Sequence, residues 1–474
     1  MTSPRWTQPR RWPGLVRGAQ SFLRRASISH DLSAACEDRL PVTHPASDEV
    51  RQVLDQHGLR IAEALDSVQR GAMFTRLMLN TWQTTMSTLP QGRTFVITGD
   101  IPAMWLRDSA AQMRPFVMLS VHSPEITERL AGLVRQQWDC IERAPYANAF
   151  NPEPNNASWH AGDLCDSPWV WEEKYEVDSL AFPIQMAWQL WKATGRSEVI
   201  APLRDRARIV VDLWRTEQDH ETRSQYRFIR PGTQDTLARD GRGGAVGRTG
   251  MTWSGFRPSD DPCRYGYNIP AQLFAVHALG LLAQMARQEW QDEQLATDCT
   301  ALAREIDAGV REWGFDPDGV LAYEVDGLGN QLMGDDANMP SLLSLPLCSS
   351  LAPDDPVYLT TRRWVLSQRN PNYHLGTAAS GVGSEHTPDR HIWPIALAVQ
   401  GLTSTRQETK RRMVDVLLRT DAGTGMMHES FHADDPHTFT RPWFSWANSM
   451  FCELLLDAAG VRMADLTGGW HEAW

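Results

Sequence analysis

The chain has 474 residues, 42% of them hydrophobic, which allows a substantial core in one large domain or in about two to three ordinary ones. Its net charge of −12 argues against a nucleic-acid partner, which needs a basic face. Seven scattered cysteines without a Cys-x-x-Cys pair argue against a disulfide framework or structural zinc, and for a reducing, cytoplasmic setting.

Residues 1–45 read as a basic, flexible tail, with an organelle presequence as the alternative. The first thirty residues hold six arginines and no acidic residue, and no apolar run of secretory length follows. No run of 18 apolar residues occurs anywhere, so no membrane insertion is expected. Residues 46–474 form the expected catalytic domain. Apolar residues at spacings of three and four predict helices over 49–70, 72–89, 107–121, 125–144, 177–194, 197–219, 265–284, 287–313, 339–350, 355–369, 391–402, 406–420 and 443–458. Short strands are expected in the loops, for example over 225–229 and 320–324. The helices starting near 107, 177, 265, 339, 391 and 443 each follow a segment rich in Gly, Trp, Asp and Arg, and they are the less charged set. Buried helices are apolar nearly all round and outer ones amphipathic. The pattern therefore predicts an all-α fold, an (α/α)6 barrel of six inner and six outer helices with the functional loops at one end.

Those loops hold the candidate chemistry. In Thr98–Ser109, Trp105 can cover the apolar face of a sugar, Arg107 can donate to neighbouring hydroxyls and Asp108 can accept from them. Asp100 lies in the same segment, and a buried Arg–Asp pair at a helix start is the structural alternative. Near 171–180, Lys174, Glu176 and Asp178 crowd a helix start, either to bind ligand or to answer the helix dipole. Asp260 and Asp261 sit between Pro258 and Pro262, close to Arg257. One of them, or Ser259, can cap the next helix. The other, beside a like charge and near Trp253, is expected to have a raised pKa that suits a general acid. Asn338, Glu385, His386 and Trp393 lie in two further polar loops. His428-Glu-Ser-Phe-His432 matches a zinc-protease string, but Gly423, Gly425 and Pro436 leave no room for the helix such a site needs. A tight loop that holds Glu429 over the pocket is the better reading. Two carboxylate centres flanking one bond are what glycoside hydrolysis requires.

The stretches Thr98–Ser109, Lys174–Ser179, Ser254–Asp261, Met427–Phe431 and Trp443–Ser449 closely resemble motifs of glycoside hydrolase family 125, over roughly residues 50–460. The resemblance implies an exo-acting, inverting α-1,6-mannosidase with an (α/α)6 barrel and no metal ion or cofactor. Its substrate would be an α-mannoside oligosaccharide or a fragment derived from an N-glycan. Asp260 or Asp261 would be the general acid and Glu429 the general base. Trp105, Arg107 and Asp108 would hold the terminal mannose, with His386 and Trp393 near the same pocket, and Asp100, Glu176, Asp178, Arg257, Asn338 and His428 are the further candidates to line the sugar site. Ser430 stands where the family often has Gly. The alternatives are another (α/α)6 sugar enzyme, such as an α-glucosidase or epimerase, and a non-catalytic glycan-binding protein.

Overall fold

The computed structural model describes residues 44–468 except 161, 164 and 166. The expected basic tail thus lies outside the described residues, save for its last two. The main helices in chain order are α1 (Asp48–Ala64), α2 (Val68–Thr85), α3 (Leu106–Ala111), α4 (Arg114–Leu119), α5 (Pro124–Arg143), α6 (Val177–Thr194), α7 (Arg204–Glu217) and α8 (Ile269–Met285). There follow α9 (Glu293–Trp313), α10 (Leu345–Cys348), α11 (Pro356–Val365), α12 (Pro394–Leu402), α13 (Gln407–Arg419), α14 (Ser445–Ala458) and α15 (Met463–Thr467).

The segments α3/α4, α6, α8, α10, α12 and α14 form the inner ring. Contacts run from α3 to α6, α6 to α8, α8 to α10, α12 to α14, and α14 back to α4. Composition decides which helices go inside. Every residue of α6 from Val177 to Trp191 is buried, and α8 is buried nearly all round. Alone, α8 with its π-turn extension to Trp290 is long and apolar enough to cross a membrane, but about nine-tenths of that stretch is buried. The charged helices α5, α9 and α13 bury one face each, against α6, α8 and α12 respectively. Helix α1 stands outside the alternation and packs on α2.

Several boundaries differ from those the sequence predicts, for local reasons. The run expected over 49–70 breaks at a turn with Asp66 in the left-handed region, φ 50°. The helix expected over 107–121 is interrupted ahead of Pro115, because proline lacks the N–H that would continue the ladder. Over 339–350 only one turn, α10, is helical. There the buried Asp335 carboxylate accepts from the N–H groups of Leu342 and Leu343, at 2.7 and 3.0 Å, and replaces helical bonding. Residues 225–229 form no strand, and of 320–324 only Glu324 enters one.

Short antiparallel strands stand at the N-terminal ends of inner helices. Strand Met104–Trp105 feeds α3, Tyr267–Asn268 feeds α8, and His391–Ile392 feeds α12. Each pairs with a strand that follows in the chain: Ala149–Phe150, Glu324–Val325 and Ser430–His432. These sheets tie the loops before the inner helices into one rim, and the candidate site lies there.

Candidate active site

The N-terminal turns of α3 and α6 meet at Arg107. Its side chain is 3% exposed, and its Nη1 donates to Glu176 at 2.6 Å and to Asp178 at 3.3 Å. Its Nη2 donates to Asp260 at 2.8 Å, and its Nε lies 3.6 Å from Asp108. Asn148 spans the same carboxylates, with Nδ2 at 3.3 Å from Asp260 and 3.5 Å from Glu176. One guanidinium thus faces four acids, of which only Asp260 keeps appreciable exposed surface. Burial drives Asp108 and Asp178 up to about 6 each, despite the opposing pull of Arg107.

Asp260 and Asp261 sit on a tight turn from Arg257, closed by Asp260 N–H to the Arg257 carbonyl at 2.9 Å and Arg257 N–H to the Asp261 carbonyl at 2.8 Å. Asp260 has φ 65°, a left-handed conformation that few non-glycine residues adopt. Lys174 braces it from below: its ammonium donates to the Asp260 carbonyl at 2.7 Å, while Glu172 and Asp235 flank the same ammonium at 3.6 and 3.3 Å. Neither aspartate caps α8, whose N-cap is Asn268. The expected raised pKa is not found for either. Burial pushes both upward, but Arg107, with the Glu176 hydrogen bond and Lys174, holds Asp260 below the usual range. His386 does the same for Asp261. Trp253 is buried and stacked on His220, with ring centroids 3.6 Å apart.

His386 links this turn to the opposite side of the site. Its Nδ1 lies 3.2 Å from Asp261. Burial works against protonation of the ring, but Asp261 and the fields of Glu429 and Asp260 outweigh it and raise the imidazole to about 9. Glu429 precedes the strand Ser430–His432 and accepts from Arg441 Nη1 at 3.1 Å. The other Nη of Arg441 binds Asp100 and, at 3.3 Å, the Thr98 hydroxyl. Because Ser430–His432 is a strand, His428 and His432 do not share a helix face. His428 is fully buried, stacked on Phe439 at 3.8 Å, with its ring nitrogens near the carbonyls of Asp421 and Arg441. Among the described residues no group of three or more His, Cys, Asp or Glu is arranged to hold a metal ion.

The remaining expected residues fall around this centre. Arg257 donates to Glu324 at 2.5 Å and to Glu385 at 3.1 Å. Asn338 binds Asp336, which also accepts from Ser384 and lies in the field of Asp261. Trp393 is buried, its indole N–H on Thr387 at 2.9 Å. Trp105 packs with Trp171, Ala103 and Ala149 in a small cluster separate from the main core. Three of the expected sugar contacts have no exposed side-chain surface: Glu176, Asp178 and His428. The first two reach the site through Arg107. Asn148 and Arg441 join the site without having been picked out, and Lys174, noted only with its crowded helix start, joins as a brace of the Asp260 turn. Asn148 lies in an uncharged stretch, and Arg441 is one residue before the Pro-Trp pair that opens the last inner segment.

Six inner helices whose leading loops converge on buried acids define the class: an (α/α)6 glycoside hydrolase. Residues 68–456 match the family model described as metal-independent alpha-mannosidase (GH125), and the chain belongs to that family. It is similar to the meiotically up-regulated gene 157 protein of Schizosaccharomyces pombe, 36% identical over 458 residues, with 88% of each chain covered. It is also similar to a metal-independent α-mannosidase of Streptococcus pneumoniae, solved as a non-productive complex with α-1,6-mannobiose. That match has 43% identity and a TM-score of 0.85, and covers 88% of this chain and all of the other. A bacterial glucoamylase complexed with acarbose shares the fold alone, with 12% identity, a TM-score of 0.55 and coverage of 84% of this chain and 57% of that one.

Proposed function

We propose that this protein is an inverting exo-α-1,6-mannosidase, with Asp260 as general acid and Glu429 as general base. The observation that carries the reading is the pair of unlike carboxylate centres linked through His386. Asp260 lies beside a second carboxyl group, Glu176, with Asn148 Nδ2 at 3.3 Å from the first and 3.5 Å from the second, and so has a proton source close at hand. Asp261 is engaged instead by a protonated imidazole and the Ser259 hydroxyl, which keeps it ionised. Glu429 is fixed by a guanidinium that cannot take its proton. The family and the mannobiose complex of the pneumococcal relative support an α-mannoside, including fragments of N-linked glycans, as the substrate class.

In this mechanism Asp260 donates a proton to the glycosidic oxygen as the anomeric bond breaks. Glu429 removes a proton from a water on the opposite face, and the oxygen of that water bonds to the anomeric carbon with inversion. Substitution Glu429→Gln removes the base and is expected to lower kcat on α-1,6-mannobiose by roughly 10²–10⁴-fold. NMR of the first product should show β-mannose. A parental rate in the variant sinks the base assignment, and initial α-mannose sinks inversion. A panel of α-1,2-, α-1,3- and α-1,6-mannobioses with α-glucosides tests the linkage and the sugar.

A further inference from the structure

The cluster around Arg107 has more acids than cations. Asp108, Glu176, Asp178 and Asp260 all face one guanidinium. Of the other cations, Lys174 bonds the main-chain carbonyl of Asp260 and is shared with Glu172 and Asp235, Arg441 acts on Asp108 but is paired with Asp100 and Glu429, and His386 acts on Asp260 but is paired with Asp261. Glu172 is in turn paired with Arg230 at 2.8 Å. Tyr226 and Cys263, also in the field of Glu176, are kept neutral by burial. With the other cations committed elsewhere, four buried or part-buried carboxyl groups around one guanidinium cannot all stay ionised. Glu176 and Asp260 moreover lie side by side, since both accept from Arg107 and Asn148 Nδ2 stands 3.5 Å from one and 3.3 Å from the other, and two carboxyl groups so placed are best satisfied when one holds a proton.

The geometry also says which one holds it. Arg107 and Asn148 donate to both carboxyl groups, to Glu176 at 2.6 and 3.5 Å and to Asp260 at 2.8 and 3.3 Å, and Ser179 adds a bond to Glu176 at 2.7 Å, so exposure and not the donors separates Glu176 from Asp260. The Asp260 side chain is 23% exposed, whereas that of Glu176 is fully buried. A buried carboxyl loses more by ionising, so the proton rests on Glu176.

We propose that Glu176 is the proton store of the reaction: in the resting enzyme it holds the proton that Asp260 passes to the glycosidic oxygen. This rests on the reading of Asp260 as the acid. When the glycosidic oxygen approaches Asp260, the proton moves from Glu176 to Asp260 and on to that oxygen, and Glu176 is left as a carboxylate beside Arg107. Glu429 takes one proton from the attacking water. Release of that proton to solvent and uptake of one from solvent by the Glu176–Asp260 pair restore the resting state. Glu176 touches no substrate and acts only through Asp260.

The test is Glu176→Gln, which keeps an oxygen for Arg107 and a donor for Asp260 but holds no transferable proton. On α-1,6-mannobiose, kcat is expected to fall roughly 10²-fold and the alkaline limb of its pH profile to move to lower pH. On 2,4-dinitrophenyl α-mannoside, whose leaving group needs no proton, the rate should stay within about threefold of the parent. An unchanged pH profile and mannobiose rate overturn the proposal. So does an equal loss on both substrates, which marks a merely structural role. Asp260→Asn is measured alongside. If it loses both substrates equally, the reading of Asp260 as the acid has failed, not the pairing. Should Glu176→Gln not fold, Glu176→Asp keeps a titratable carboxyl but withdraws it from Asp260, and an alkaline limb identical to the parent's overturns the proposal.

Discussion

Arg107 gives its Nη hydrogen bonds to three carboxyl groups and therefore presents no free fork to a sugar. The buried Arg–Asp pair at a helix start, the structural alternative for that segment, is present, with Nε 3.6 Å from Asp108, and the arginine orders the acids around it. His386 shows the reverse economy of charge, since one imidazole serves Asp261 directly and faces Glu429 and Asp260. Its pKa lies at about 9 in the folded protein, above the ordinary 6.5. The folded state thus binds more protons between these values, and stability falls as pH rises through that window. The contribution is complete below about 6.5 and lost above about 9. His386→Gln should remove this slope, so thermal melts of parent and variant, which differ at pH 6, should converge by pH 10. Melting curves that stay parallel across the window contradict the ion pair.

At the level of elements, close helix packing depends on missing side chains. Helices α1 and α2 cross where a Cβ on Gly71 would lie 2.2 Å from the Gly58 carbonyl oxygen and 3.0 Å from the Ala62 Cβ. Neither backbone can yield without moving its helix, so Gly71→Ala should cost about 1–3 kcal/mol despite the better helix propensity of alanine. A chemical denaturation midpoint equal to the parent's would show that the crossing tolerates the methyl. The charged and uncharged helices in the sequence separate into outer and inner sets because only the latter can lose their whole surface to neighbours. That signal weakens where the inner segment is not a helix: Asp335, by capping Leu342 and Leu343, makes 339–344 a polar-pinned loop inside the ring.

For the whole molecule, closure of the ring depends on a buried ion pair between its first and last inner segments. Arg114 of α4 makes a two-point contact with Glu453 of α14, at 2.8 and 2.7 Å, and reaches Gln185 of α6 at 3.3 Å. Removal of one partner from a buried pair leaves an uncompensated charge, so Glu453→Ala should lower stability by about 3–5 kcal/mol. Denaturant unfolding of parent and variant measures the loss, and a change within about 0.5 kcal/mol, as at ordinary surface sites, contradicts it. No disulfide joins the six described cysteines, Cys140, Cys165, Cys263, Cys299, Cys348 and Cys452, so none among them assists this closure.

The sequence by itself determined the barrel, because six weakly charged helices alternating with one-sided ones admit few other packings. It also marked the loops that carry Asp260, Asp261 and Glu429, since Gly-, Pro- and Asp-rich breaks must fall where helices end. Only tertiary structure decided how those groups are charged. The pKa of Asp260 depends on Arg107, Glu176 and Lys174, all more than 80 residues away in the chain. Glu429 meets Arg441 across a hairpin, and Arg441 reaches back to Asp100 near the start of the barrel. Helical period and loop composition are local properties that can be read along the chain. Electrostatic fields depend on distance in space, and for these residues the fold alone sets that distance.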